Sequence, residues 1–283
     1  MNLHNIGVIG AGTMGNGIAQ VCALAGFDVT LLDISDSALQ KAVATVAKNL
    51  DRQIAKDSLT EAQKHAALGR IRTSTDYASL ADAQLVIEAA TENLDLKLRV
   101  LQQIAAQVSS TCVIASNTSS LSITQLAASV SAPERFIGLH FFNPVPVMGL
   151  IEVIRGLQTS DATHALALEL ATRLGKTAIT AGNRPGFVVN RILVPMINEA
   201  ILVLQEGLAS AEDIDAGMRL GCNQPIGPLA LADLIGLDTL LAILAAFYDG
   251  FNDSKYRPAP LLKEMVAAGY LGRKSGRGFH AYG

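Results

Sequence analysis

The sequence predicts an α/β protein: a doubly wound sheet domain over residues 1–183, followed by a smaller all-α domain over residues 184–283. Three observations carry that prediction. From residue 4 to about residue 180, short β-rich apolar runs alternate with helical stretches, the pattern of strands crossing over through helices. A GxGxxG turn, Gly10-Ala11-Gly12-Thr13-Met14-Gly15, directly follows the first run and opens a helical stretch. The alternation then stops at the turn-rich Ala181-Gly182-Asn183-Arg184-Pro185-Gly186, beyond which the periodicity is helical alone.

In chain order the β runs are 6–9, 29–32, 85–87, 113–115, 136–139, 150–154 and 177–180, with helical stretches at 14–25, 35–56 and 94–108. Several runs are apolar throughout, as expected where helices cover both faces of a sheet that is parallel at least in its first half. The second domain reads as helices over 187–206, 211–220, 229–246 and 261–268. Ser210, three residues before Asp213, resembles a helix start, and Gly207 ends the first of these helices. The stretch 188–204 is apolar on most sides, which predicts burial inside the helical domain or in a subunit interface. Pro225 and Pro228 bracket Ile226-Gly227 in what reads as a rigid inter-helix loop.

Composition excludes several classes. Half of the residues are hydrophobic and 17% are charged, which is too apolar for a disordered chain. No apolar run approaches the roughly 18 residues of a membrane span, and the start lacks a signal peptide's features, so the expectation is a soluble cytoplasmic protein without a membrane partner. A formal net charge of -3 with scattered basic residues offers nucleic acid no attractive field. Cys22, Cys112 and Cys222 form no CxxC pair and read as reduced, packed thiols. His4, His65, His164 and His280 lack metal-ligand spacing, so no metal is expected.

In the glycine turn, Gly10 permits the tight bend, Gly12 lets backbone approach a pyrophosphate, and Gly15 lets the helix pack close to the strand. The helix N-terminus then offers unpaired N–H groups to that anion, with Ala11, Thr13 and Met14 completing the loop. Asp33 ends the second run, 18 residues beyond Gly15, where a carboxylate receives ribose hydroxyls and repels a 2′-phosphate. A cap on the following helix together with Ser35 is the simpler alternative for Asp33. No arginine adjoins it, so a Rossmann-type domain that binds NAD rather than NADP is expected.

His140 closes the run before Phe141-Phe142-Asn143-Pro144-Val145-Pro146, whose prolines force an extended excursion, and Glu152 follows between Ile151 and Val153. Either could be structural, a sheet-edge histidine and an exposed strand residue. A carboxylate among apolar neighbours needs a partner, however, and an imidazole would serve, its other nitrogen then exchanging a hydroxyl proton. Ser119 sits in a run of small polar residues that a helix cap at Ser122 would also explain. Lys56 and Lys97 read as solvated helix lysines, Asn190 as an ordinary helix residue, and Lys274 as part of a basic tail.

The stretches SNTSS (116–120), GLHFFNPVPVM (138–148), PGFVVNR (185–191) and GRKSGRGF (272–279) resemble the 3-hydroxyacyl-CoA dehydrogenase family, over essentially the whole chain. That resemblance implies reversible hydride transfer between NAD and C3 of a short-chain (S)-3-hydroxyacyl-CoA such as the four-carbon one. It implies His140 as general base, Glu152 as its acidic partner, Ser119 as a hydrogen-bond donor to the reacting oxygen, and Asn190 as a substrate contact. It implies Glu92, Lys97, Asn143, Ser119 and Lys274 at the cofactor, and Lys56 at the coenzyme A phosphates. Where some members carry a serine on that helix, this chain has Asn49, which can still hydrogen-bond the coenzyme. It further implies a homodimer formed through the helical domain. Two other readings remain: a related dehydrogenase of a free hydroxy acid or sugar acid, and a non-enzymatic dinucleotide-binding protein.

Overall fold

The computed structural model describes residues 3–283 and divides between Arg184 and Pro185 into two units, one residue beyond the expected boundary. In the first unit, eight strands among the described residues form one sheet in the order β3-β2-β1-β4-β5-β6-β7-β8. They are β1 (Asn5–Ile9), β2 (Asp28–Leu32), β3 (Ile71–Ser74), β4 (Leu85–Glu88), β5 (Val113–Ser116), β6 (Phe136–Phe141), β7 (Leu150–Arg155) and β8 (Thr177–Gly182). Neighbours run parallel except β6 and β7, which are antiparallel. The strand order reverses between β1 and β4, the switch point at which doubly wound sheets open a crevice beyond the strand ends.

Among the described residues, six α-helices accompany this sheet: α1 (Thr13–Leu24), α2 (Asp36–Ile54), α3 (Glu61–Gly69), α4 (Leu94–Gln107), α5 (Ile123–Ala127) and α6 (Asp161–Arg173). Ser35, Asn93, Ser122 and Ser160 cap α2, α4, α5 and α6 through side-chain oxygens, and Thr60 with Gln63 forms a capping box at α3. The core gathers Ile18, Leu31, Leu50, Leu85, Ile87 and Phe141, all at most 1% exposed. The sequence pattern missed β3, whose residues Ile71-Arg72-Thr73-Ser74 lack an apolar run because it is an edge strand. It also stopped β6 at residue 139. Pairing with β7 carries that strand through Phe141, so His140 lies within the sheet.

The second unit is helical: α7 (Val189–Gln205), α8 (Ala211–Gly221), α9 (Pro228–Ile235), α10 (Leu237–Phe251) and α11 (Pro260–Ala267). Val194, Ile197, Ile201, Leu229, Leu240, Leu244 and Phe247 form its core. One expectation is corrected here. The single helix foreseen at 229–246 breaks at Gly236, whose φ of 99° and ψ of 125° lie outside helical space, and the two halves bend by 97°. On α7, Val194, Ile197 and Ile201 are covered within the unit, whereas Ile192 is 67% exposed. The C-terminal segment is bolted down by two carboxylates. Asp233 accepts from the backbone of Phe279 and His280, and Asp215 from His280 Nε2. No single described helix is long and apolar enough to cross a membrane.

Candidate active site

The glycine loop leaves β1 at the switch point. Gly10, at φ 98°, lies against the end of β4; a Cβ there would stand 2.6 Å from Ala90 Cα. A Cβ on Gly15 would fall 1.7 Å from the Gly10 carbonyl oxygen, so α1 starts as close to the loop as backbone permits. A Cβ on Gly12, by contrast, would meet nothing within 4 Å, because that position faces open space. Gly12 begins α1 without a side-chain cap, and no acidic residue occupies the first turn. The helix therefore presents uncapped N–H groups and its positive dipole end to a cleft of about 530 Å³. A dinucleotide's pyrophosphate fits these donors.

Asp33 borders the same cleft and spends one carboxylate oxygen on each side of it. Oδ2 accepts from Ala11 N at 2.7 Å and Oδ1 from Ser35 N at 3.0 Å, while Ser35 itself caps α2. The cap foreseen as an alternative and the loop contact thus coexist, and the carboxylate's remaining lone pairs suit ribose hydroxyls. Asn49, one rung of a polar stripe with Lys41 and Thr45 at i, i+4 and i+8 on α2, lines the cleft too. Its amide donates to Gln20 Oε1 at 3.3 Å. Sequence reading missed Lys41 and Thr45, although the stripe's helical spacing was visible. Asn143, Pro144, Val145 and Pro146 form a further part of the wall.

Glu92 ties down the SNTSS turn: its carboxylate accepts from Thr118 Oγ1 at 2.7 Å, Ser119 N at 2.9 Å and Ser119 Oγ at 3.3 Å. Deeper in the same turn, Asn117 Oδ1 accepts from Phe141 N at 2.8 Å, which joins this segment to β6. His140 and Glu152 are register partners across β6 and β7, and Nδ1 meets Oε2 at 2.7 Å. Glu152 has no exposed surface and His140 is 7% exposed, so the bond forms away from bulk water, where such contacts are strongest. The Phe142 ring lies 4.5 Å from the imidazole, centroid to centroid.

Lys97 corrects the expectation made for it. It is not a solvated helix lysine: its side chain is buried, with Nζ 2.5 Å from Glu88 Oε2 and 3.3 Å from Ser116 Oγ. Glu88 also accepts from Ala90 N at 2.9 Å, and the ion pair thereby shapes the turn against Gly10. The signal was legible: residues 97, 100, 101 and 104 share the buried face of α4. Lys56 is exposed beyond the end of α2 and does not line the cleft. In the helical unit, Asn190 is half-buried in the first turn of α7. Lys274 reaches both oxygens of Asp238 at 2.6 Å, and the ammonium holds that carboxyl below its ordinary range. No cluster of three or more metal-ligating side chains occurs among the described residues.

Comparison with known proteins matches these features. Residues 5–184 match the family model for the NAD binding domain of 3-hydroxyacyl-CoA dehydrogenase, and residues 186–282 the model for its C-terminal domain. The chain is 52% identical, over 99% of its length and 96% of the relative's, to a 3-hydroxybutyryl-CoA dehydrogenase of Bradyrhizobium diazoefficiens. It is 48% identical to a probable 3-hydroxybutyryl-CoA dehydrogenase of Bacillus subtilis, over 100% and 98% of the two chains. Among solved structures, the (S)-3-hydroxybutyryl-CoA dehydrogenase of Ralstonia eutropha superimposes with a TM-score of 0.98 and 63% identity over the whole of both chains. With an NAD-binding loop built as above and both halves matched, the chain belongs to the 3-hydroxyacyl-CoA dehydrogenase family, NAD-dependent oxidoreductases acting on a CH–OH group.

Proposed function

We propose that this chain oxidises and reduces C3 of short (S)-3-hydroxyacyl-CoA thioesters, 3-hydroxybutyryl-CoA foremost, with His140 as general acid–base and Glu152 as the carboxylate behind it. The observation that carries this reading is the 2.7 Å bond between His140 Nδ1 and Glu152 Oε2. With Nδ1 donating to a buried carboxylate, Nε2 is the basic nitrogen. The oxidised nicotinamide of a bound NAD would supply the hydride acceptor for oxidation at C3, and its reduced form the hydride donor for the reverse direction. Nε2 takes the proton of the C3 hydroxyl in the first direction, and the imidazolium gives it back to the C3 oxygen in the second. Glu152 stabilises that imidazolium. Ser119, on the turn held by Glu92, donates a hydrogen bond to the same oxygen.

The names of the relatives from Bradyrhizobium, Bacillus and Ralstonia support the four-carbon thioester as substrate. Asp33 and the glycine loop hold the cofactor's adenosine and pyrophosphate, with Asn143 and Glu92 toward the nicotinamide half. Asn49 and Lys56 on and beyond α2 take the coenzyme A phosphates, and a second copy pairs through the helical unit. Steady-state kinetics with C4 to C10 3-ketoacyl-CoAs, using NADH and NADPH in parallel, test this. Acetoacetyl-CoA with NADH should give the highest kcat/KM, and free acetoacetate turned over equally well would overturn the thioester assignment.

A further inference from the structure

The loop from Phe142 to Gly149 joins the strand of His140 to the strand of Glu152, and its residues 143–146 wall the cofactor cleft. A single cationic side chain holds its far side. Lys176 Nζ donates to the carbonyl oxygen of Val145 at 2.7 Å and to that of Met148 at 2.6 Å. The next residue adds a third tie, Thr177 N to Gly149 O at 2.7 Å, where β8 begins beside β7. The opposite side of the loop rests on α1, since a Cβ on Gly17 would come 2.8 Å from Val145 Cβ. Val145 is 2% exposed, so the loop is wedged between a helix backbone and an ammonium group.

We propose that Lys176 is a positioning residue for the reaction: by holding the carbonyls of Val145 and Met148, its ammonium fixes the 142–149 loop that shapes the cofactor wall and sets the spacing of His140 and Asn143. Within the loop, the Pro144 carbonyl accepts from Val147 N and Met148 N, whereas the carbonyls of Val145 and Met148 take their donor from Lys176. An ammonium serves because it can donate to both carbonyls at once, and charge-assisted bonds hold more firmly than neutral ones. Burial pushes the Lys176 ammonium below its ordinary range, the Cys22 thiol being the ionisable group that faces it. That cost is one a merely solvated lysine would not bear.

The proposal rests on the functional reading above, and two readouts keep their failures apart. In Lys176→Met, the NADH dissociation constant should rise about tenfold and kcat on acetoacetyl-CoA should fall about tenfold, because a displaced wall costs both binding and alignment, while KM for acetoacetyl-CoA stays within about twofold. Lys176→Arg, which keeps charge and donors, should return both values to within about threefold of the parent. A Lys176→Met enzyme with parental NADH affinity and kcat, altered only in melting temperature, overturns the proposal. So does an arginine variant as impaired as the methionine one. If the parent enzyme itself ignores acetoacetyl-CoA, the functional reading fails, yet the NADH affinity ratio still tests the clamp. Should the methionine variant not fold, Lys176→Gln with hydrogen exchange across 143–148 decides: faster exchange with weaker NADH binding supports it, and parental exchange refutes it.

Discussion

His140 and Glu152 stand directly opposite each other in the β6–β7 ladder, and the bond between their side chains is formed across the sheet's antiparallel pair. Every other pairing in the sheet is parallel. In an antiparallel pair, opposed residues bring their Cβ atoms within about 5 Å on one face, a spacing that a histidine and a glutamate span with one hydrogen bond. The dyad therefore comes from strand register, which sequence separation alone does not reveal.

Removing either partner should act on turnover and spare the cofactor. We expect His140→Ala to lower kcat by about 10²–10⁴-fold, the usual worth of a general acid–base, with the NADH dissociation constant unchanged. Glu152→Gln should lower kcat by about 10²-fold or more, since an amide facing Nδ1 favours the wrong tautomer. Stopped-flow NADH oxidation with acetoacetyl-CoA and a parallel fluorescence titration measure both; near-parental kcat in either variant would remove the dyad from the mechanism.

The three glycines of the loop separate folding from binding. Gly12→Ala adds a methyl group where no protein atom lies within 4 Å, so its thermal stability should stay within about 1 kcal/mol of the parent. The same methyl group projects into the cleft, and NADH affinity should drop about tenfold or more. Gly15→Ala forces a carbon to 1.7 Å from the Gly10 oxygen, and this variant should lose stability and binding together. Calorimetry paired with NADH titration distinguishes the two, and a Gly12→Ala enzyme binding NADH normally would falsify the pyrophosphate assignment.

The ion pair of Lys97 and Glu88 is sealed from water, with side chains 1% and 0% exposed. Lys97→Met would strand a buried carboxylate and should cost about 3–5 kcal/mol, whereas Lys97→Met combined with Glu88→Leu should recover much of that loss. Urea denaturation of the two single variants and the double variant closes the cycle. Additive single losses would mean the two groups are not coupled.

Much of this architecture was legible in the residues, and the gaps have physical causes. The parallel core strands announce themselves as apolar runs because both faces are covered, but three of the four β3 residues are polar and the segment looks like loop. Gly236 breaks a helix that apolar periodicity continues straight through, since periodicity does not register a backbone at φ 99°. The glycine turn and Asp33 were readable because their chemistry depends on residue type. Lys176 was not: it grips main-chain carbonyls, which every residue carries, so nothing in the local sequence marks the loop it holds.

The thiols give a pH-dependent prediction. Burial pushes Cys22 and Cys112 up to about 12 from an ordinary 9.0, while Cys222 is exposed. The native state resists forming these two thiolates and the unfolded chain does not. Their contribution to stability is therefore complete below pH 9 and is lost as pH climbs toward 12. At pH 8 a disulfide reagent should modify one thiol quickly, Cys222, and the other two only after unfolding. Fast reaction of more than one thiol in the native protein would show that the buried cysteines are accessible.

The helical unit carries several large apolar side chains that are exposed. Ile192 on α7 is 67% exposed, Leu220 at the end of α8 85%, Leu234 on α9 54%, and Leu208 in the α7–α8 turn 76%. Exposed apolar side chains of this kind suit an interaction site, and in a symmetric pair of copies the same patch would serve both. Light scattering at micromolar concentration should give twice the 29.7 kDa chain mass. Ile192→Glu places a charge on this surface, where desolvating it against an apolar partner costs several kcal/mol, about enough to dissociate a micromolar dimer. The variant should elute as a folded monomer with an unchanged far-ultraviolet spectrum. A parent protein that is monomeric at this concentration, or a variant that remains dimeric, would move the interface away from α7.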